Sequence, residues 1–248
     1  MTLSIEHLAH RHEGQRAIIL GNGPSLNHTP LHLLADEQVW ASNRAYLLFD
    51  RIDWRPSHYV AIDPFVIANS RSQLSTCVAE LPETTFFFPE DVSELLKLES
   101  ADNVCWFSFS HSAAQFADGR QRFEIARAAT VTVVSMQLAA LLGFSTFVLT
   151  GCDMNYQHTV ASASAGVSGA KADRFAFKGG ADADHFHPDY LDRDADWAIP
   201  EVAKMFLDFQ QIARQFEASG IDVGNATVGG RLECFRRVDL ATALAKGT

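Results

Sequence analysis

Short apolar runs, each followed by a polar turn and then by apolar positions three and four residues apart, recur along this chain. That alternation is the signature of βαβ units and a mostly parallel sheet. The runs predict strands at Ala17–Leu20, Val39–Ala41, His58–Ile62, Thr84–Phe88, Val104–Phe107, Thr146–Thr150 and Ile221–Val223. The clearest helix spans Pro200–Ala218, where Val202, Met205, Phe206, Phe209, Ile212, Ala213 and Phe216 form one apolar stripe. Ser219-Gly220 stops it and returns the chain to the sheet. Ala128–Phe144 is the most apolar stretch, but Thr130, Thr132, Ser135 and Gln137 interrupt it, and it is short for a membrane span. It reads as a helix buried on the sheet. The expected fold class is α/β, a Rossmann-like, mostly parallel sheet flanked by helices.

Gln157–Asp184 breaks the pattern, being rich in Ala, Gly and Ser with little apolar material beyond Phe175 and Phe177. A segment of that length in a compact domain is commonly functional. Its place between a strand exit and a histidine-rich motif marks it as a flexible lid.

An open parallel sheet binds ligands at the carboxyl ends of its strands, where loops and helix N-termini converge. The first strand exits into Gly21-Asn22-Gly23-Pro24-Ser25-Leu26. Glycines there permit a tight turn, Pro24 can open a helix, and the freed N–H groups favour an anion. The second exit is Ser42-Asn43-Arg44, the third Asp63-Pro64, the sixth Gly151-Cys152-Asp153 with Asn155 and Tyr156, and the last Asn225-Ala226-Thr227. Polar residues at so many exits point to a binding rim. Beyond the lid stands Asp182-Ala183-Asp184-His185-Phe186-His187-Pro188-Asp189-Tyr190. A histidine flanked by carboxylates suits proton transfer near neutral pH. His185 and His187 are both candidates, with a metal-ligand reading left open because acids alternate with them. His7, His10, His28 and His111 read as structural.

Composition narrows the classes. The chain has 248 residues, 47% hydrophobic and 20% charged, enough for a sizeable core, and no linker or repeat divides it. Residues 1–248 are therefore read as one nucleotide-binding domain with a lid at 157–184. A formal net charge of -10 without a basic run argues against nucleic acid and anionic membranes as partners. Cys77, Cys105, Cys152 and Cys234 lack metal or redox spacing, and the N-terminus lacks a secretory apolar run. The expectation is a cytoplasmic protein with reduced thiols and no transmembrane segment; a homo-oligomer is compatible with all of this.

GNGPSL, S-N-R-x-Y, HYVAIDP, TVTVVSMQLAALLGF leading into TFVLTGCDMNY, and HFHPDY before a long helix together resemble the bacterial proteins called 6-hydroxymethylpterin diphosphokinase MptE-like. More distantly they are similar to the bacterial lipo-oligosaccharide sialyltransferases, over about Gly14 to Val238. The sialyltransferase resemblance implies a metal-independent, inverting enzyme that uses a cytidine-monophosphate sugar. Asn22 and Ser25 would then contact the nucleotide, Asn43 the phosphate or ribose, Tyr156 the phosphate, and His185 would be the base. Asp63 stands where that family has Asn, and Arg127-Ala-Ala-Thr130-Val131 loosely matches its Arg-x-Thr-Ser-Gly. A carboxylate at Asp63 disfavours the carboxylate of sialic acid.

The candidate donor-binding set is thus Gly21, Asn22, Gly23, Ser25, Asn43, Asp63, Thr130, Asp153, Tyr156, Asn225 and Thr227. The function expected is a glycosyltransferase of surface-glycan synthesis, taking a nucleotide-activated sugar and a glycan or small-molecule acceptor, with no required cofactor. The pterin resemblance implies instead a magnesium-dependent transfer of pyrophosphate from ATP, with Asp63 and Asp153 as metal ligands. A non-catalytic nucleotide-sugar-binding protein is the third alternative.

Overall fold

The computed structural model describes residues 3–98, 101–110, 125–156, 174–177, 182–193 and 195–245, and of residues 174–176 only the backbone. The chain builds strands β1 (Arg16–Leu20), β2 (Gln38–Ser42), β3 (His58–Val60), β4 (Thr85–Pro89), β5 (Val104–Phe107), β6 (Phe109–Ser110), β7 (Ile125–Ala126), β8 (Thr146–Thr150), β9 (Arg174–Ala176), β10 (Asp196–Ala198), β11 (Asp222–Asn225) and β12 (Arg236–Arg237). Eight of them form one sheet in the order β12-β11-β8-β1-β2-β3-β4-β5. Every pairing within it is parallel.

The apolar runs are continuous because both faces of the sheet are covered. Ala17 and Ile19 of β1 point to one face, packing with Trp40, Val60, Phe87, Phe147 and Leu149 beneath two helices. Ile18 and Leu20 point to the other, with Val39, Val148, Leu26 and Leu34. Helix Val131–Leu141 buries ten of its eleven residues, which explains why its sequence shows no polar face. It begins one turn later than the apolar stretch, because Thr130 caps it by accepting from the Thr132 amide at 3.3 Å. Helix Val202–Ala218 buries Met205, Phe209, Ile212 and Phe216, four of the seven stripe positions its spacing predicts, while Phe206 and Ala213 pack against the core partly buried.

The seven predicted strands are all present, Val104–Phe107 and Thr146–Thr150 with the expected bounds and the other five with shifted ends. β3 stops at Val60, before the turn in which Asp63 caps the helix Pro64–Asn69. The sheet's last strand, β12, and the small pairs β6/β7 and β9/β10 were not predicted. Most of the expected lid, 157–173 and 178–181, lies outside the described residues, as does His111. The described part of it is tied down: β9 pairs antiparallel with β10, Phe177 is buried, and Asp182 and Asp184 are buried. Among the described residues no helix is long and apolar enough to cross a membrane.

Strand order places the site. From β1 the chain steps outward through β2, β3, β4 and β5, then returns as β8 on the opposite side of β1 and continues outward to β11 and β12. The order reverses between β1 and β8, so a crevice opens at their carboxyl ends.

At the other end of the sheet, His58 lies buried, stacked on Trp40 with ring centroids 4.2 Å apart. Among the described residues its Nδ1 and the Trp40 Nε1 have no hydrogen-bond partner. Burial, with His12 nearby, pushes the His58 pKa down from the ordinary 6.5 to about 3. Between those values the unfolded chain binds a proton that the folded chain refuses, so stability is present above about pH 6.5 and is lost as pH falls through that window. Denaturant titrations from pH 7 to 4 are expected to show declining stability. His58→Phe should flatten the slope by up to roughly 1.4 kcal/mol per pH unit, the worth of one proton. An unchanged slope would assign the acid sensitivity to other groups.

Candidate active site

The crevice is set by glycines that interlock across it. Gly21 N donates to Thr150 O at 2.8 Å, and Gly23 N donates to Gly151 O at 2.9 Å. A Cβ on Gly21 would lie 2.2 Å from Gly151 O, and one on Gly23 would lie 1.9 Å from Asp153 Oδ2. Gly151 itself takes φ +72°, a conformation that suits glycine. These glycines therefore serve the contact between the β1 and β8 exits. Ser25 completes the joint: its amide donates to Asp153 Oδ1 at 3.2 Å and its hydroxyl to Oδ2 at 2.6 Å. Burial raises the Asp153 carboxyl above its usual range, against the lowering pull of the Ser25 bonds.

A cavity of about 720 Å³ opens over this joint. Gly21, Asn22, Gly23, Asn43, Asp63, Thr130, Asp153, Tyr156 and His185 line it together. Asn22 Nδ2 donates to the backbone oxygen and hydroxyl of Ser42, both at 3.2 Å. Among the described residues the Oδ1 atoms of Asn22 and Asn43 are buried without a hydrogen-bond partner, so both are acceptors a ligand could use. Asn43 holds φ +54°, a left-handed conformation that asparagine tolerates. The Tyr59 hydroxyl donates to its carbonyl at 2.7 Å.

Asp63 Oδ1 accepts from the amides of Phe65 at 2.7 Å and Val66 at 3.3 Å. Burial raises its carboxyl, and those two amides oppose the rise. Thr130 brings the amino end of helix Val131–Leu141 to the wall, a favourable place for negative charge. The phenol of Tyr156 is pushed up by burial and by Cys152 and the aspartates around it, so it stays a hydrogen-bond donor. Cys152 is likewise driven up to about 12 by burial.

His185 reaches the cavity on a turn fastened to the glycine joint. Phe186 N donates to Asn22 O at 3.0 Å, and Asn27 Nδ2 donates to Phe186 O at 2.9 Å. His185 Nδ1 lies 2.6 Å from Oδ2 of Asp182, which is buried. Asp182 Oδ1 accepts from the Asp184 amide at 2.9 Å. With its proton on Nδ1, facing the carboxylate, the imidazole keeps a lone pair on Nε2. The opposite side of the ring is covered by Tyr190, whose centroid is 3.9 Å away at an interplanar angle of 6°.

Four expected residues lie elsewhere. Ser25 does not line the cavity, because its hydroxyl is committed to Asp153. Asn225 and Thr227 also lie off the lining. Asn225 Nδ2 donates to Leu232 O at 2.8 Å, and its Oδ1 accepts from Thr227 N at 3.0 Å. The Thr227 hydroxyl accepts from Cys152 N at 3.0 Å. Asn225 thus braces the loop after β11, and Thr227 ties that loop to the exit of β8. His187 is off the lining too, its Nδ1 accepting from Asp189 N at 3.1 Å. The cavity adds Arg127, Asp184, Tyr190, Trp197 and Glu201, which the strand-exit argument missed. Arg127 pairs with Asp91 and sits 4.3 Å over the Phe109 ring.

Among the described residues no three His, Cys, Asp or Glu side chains gather as a metal-binding group. Asp63 and Asp153 share the cavity, but Asp63 Oδ1 and both oxygens of Asp153 already accept protein hydrogen bonds.

A family profile described as 6-hydroxymethylpterin diphosphokinase MptE-like matches residues 1–159. No curated protein sequence matches significantly. Among solved structures, the monofunctional α-2,3-sialyltransferase Cst-I of Campylobacter jejuni is 12% identical, with a TM-score of 0.54 over 94% of this chain and 82% of that one. The sialyltransferase CstII of the same organism, in complex with the substrate analogue CMP-3FNeuAc, is 15% identical, with a TM-score of 0.50 over 94% and 89%. These likenesses show the fold.

The interlock makes Gly23 a structural position first. Gly23→Ala must displace the Asp153 carboxylate, and the expected cost is roughly 1–3 kcal/mol of stability. Thermal unfolding in the absence of any ligand checks this. A variant as stable as the parent would show that the joint yields.

Proposed function

The chain belongs to the 6-hydroxymethylpterin diphosphokinase MptE-like family, and from that membership and the cavity we propose that it is a transferase acting from a nucleotide-activated donor, in the first place a glycosyltransferase. The observation that carries this reading is the pair Asp182–His185, a buried carboxylate behind a half-buried imidazole that lines the crevice where the strand order reverses. A buried carboxylate on Nδ1 fixes the tautomer and stabilises the imidazolium formed when Nε2 takes a proton.

In the proposed reaction, His185 Nε2 removes the proton of an acceptor hydroxyl, and that oxygen bonds to the anomeric carbon of the donor sugar. The bond from that carbon to the phosphate oxygen breaks, and the nucleotide leaves with the electron pair. Attack opposite the leaving group gives inversion. Negative charge developing on the departing phosphate meets the Tyr156 hydroxyl, the amino end of helix Val131–Leu141 and Arg127, preorganised partners of the kind that lower such barriers. The orphan oxygens of Asn22 and Asn43 suit donor groups such as ribose or sugar hydroxyls. A cytidine-monophosphate sugar is the donor we place first, with a surface glycan or small hydroxylated molecule as acceptor.

The family name and the carboxylates Asp63, Asp153, Asp184 and Glu201 in the lining favour a second reading, transfer of pyrophosphate from ATP with magnesium. The donor set fits that ion poorly, because Asp153 is spent on Ser25 and Asp63 caps a helix. Magnesium commonly needs one or two carboxylates beside the phosphates, so metal dependence separates the readings. Transfer activity is expected to survive EDTA. Loss with EDTA, restored by magnesium and abolished by Asp63→Asn, would establish the diphosphokinase instead. His185→Ala should lower turnover by roughly a hundredfold to ten-thousandfold while donor binding, followed by thermal shift, is kept. His187→Ala should leave turnover near normal, and binding without turnover in any assay would favour a non-catalytic binding protein.

A further inference from the structure

The buried face of His185 is packed by an assembly that the proton transfer above does not use. Tyr190 stacks on the imidazole at 3.9 Å, nearly parallel. It is itself buried, 3% exposed. Its backbone is gripped by Arg44, a residue only 5% exposed. Arg44 Nη1 donates to Tyr190 O at 2.5 Å and lies 3.1 Å from Asp192 Oδ1. Arg44 Nε donates to the Tyr46 hydroxyl at 2.9 Å, and the guanidinium sits 5.6 Å over the Trp197 ring. Burying a guanidinium is costly unless its donors are satisfied, and here several are spent on the one loop that carries Tyr190 and Asp192. The contact starts directly after β2, one residue beyond Asn43 in the cavity wall.

We propose that Tyr190 and Arg44 are positioning residues for the transfer: Arg44 clamps the loop so that the Tyr190 ring holds the plane of His185 and its π face stabilises the imidazolium. The inference rests on His185 being the base. An aromatic face attracts a cation and does little for a neutral ring, so the stack favours the state that forms as the acceptor hydroxyl loses its proton. Asp182 aligns the ring through one nitrogen, which leaves rotation about that bond free; a stacked ring removes it. A purely structural Tyr190 would affect folding and leave the protonation of His185 alone.

The groups facing His185 are Asp182 and Asp184 on its own turn, Tyr190 beside it and Tyr156 from the β8 exit. Across the cavity stand Asp63, Asp153, Glu201 and Arg127. Of these groups only Tyr190 is altered in Tyr190→Leu, so a moved acidic limb in that variant reports the lost ring.

The test compares Tyr190→Leu, Tyr190→Phe, Arg44→Lys and His185→Ala in turnover, donor KM and the pH profile of kcat, with NMR titration of the His185 ring protons in the parent protein. Tyr190→Leu is expected to lower kcat about tenfold with donor KM little changed, and to move the acidic limb to lower pH by about half a unit, the worth of one aromatic–cation contact. Tyr190→Phe should recover most of that loss, and Arg44→Lys, which keeps the charge but not the fork, should lower kcat in the same direction. In the parent, the His185 ring protons should be shifted upfield by the Tyr190 ring current, a readout that survives even if the Leu variant does not fold. Absence of that shift, or a Tyr190→Leu enzyme with normal kcat and an unmoved limb while His185→Ala is slow, would overturn the positioning role and keep the base. Normal turnover in His185→Ala would overturn both.

Discussion

The structure depends on a close approach of two backbones. Between the ends of β1 and β8 there is no room for a side-chain carbon at Gly21, Gly23 or Gly151. The Gly21 and Gly23 amides bond directly to Thr150 and Gly151. Neighbouring parallel strands run about 4.8 Å apart, and it is the glycines that let their exit loops stay as close as the strands themselves. Without that, the crevice floor would be a pair of splayed loops. The Ser25–Asp153 bonds then fix one wall.

The chemistry hangs on this floor. The turn that carries His185 is held through the carbonyl of Asn22 and the amide of Asn27, both within the first exit loop. From the other side, Arg44 draws in the loop after it. His185, the base we propose, is therefore attached to two consecutive strand exits, β1 and β2, although it comes more than a hundred residues later in the chain. One of these ties is backbone to backbone, and the others come from the side chains of Asn27 and Arg44 reaching main-chain carbonyls, so the geometry depends on those two side chains as well as on loop conformation.

Sequence pattern sufficed for the sheet because its strands are buried on both faces, and TFFFP or TFVLT can hardly be anything else. It failed for β12, two arginines without apolar character, and for β9 and β10, three residues each. At the site, the residues on the lining were legible wherever a strand exit turned into the crevice, as at Asn22, Asn43, Asp63 and Asp153. Asn225 and Thr227 lie off the lining, and an exit residue that braces its own loop has the same sequence appearance as one that faces a ligand. The pairing of Asp182 with His185 follows from neighbours three apart in one turn. Burial of Arg44 had no sequence signal, since a lone charged residue after a strand reads as exposed.

The interlocked glycines also bear on how relatives of this chain should be classified. A member that lost its chemistry but kept its sheet would still need a tight joint between the first and sixth predicted strands, and so would retain a GNGPSL-like turn facing a glycine. Presence of that turn diagnoses architecture. The spacing of an aspartate three residues before a histidine, followed five residues later by an aromatic ring, carries no such architectural obligation. If the proposed reaction holds, retention of that triplet, and not of the glycine turn, is what should sort catalytic members from those that only bind.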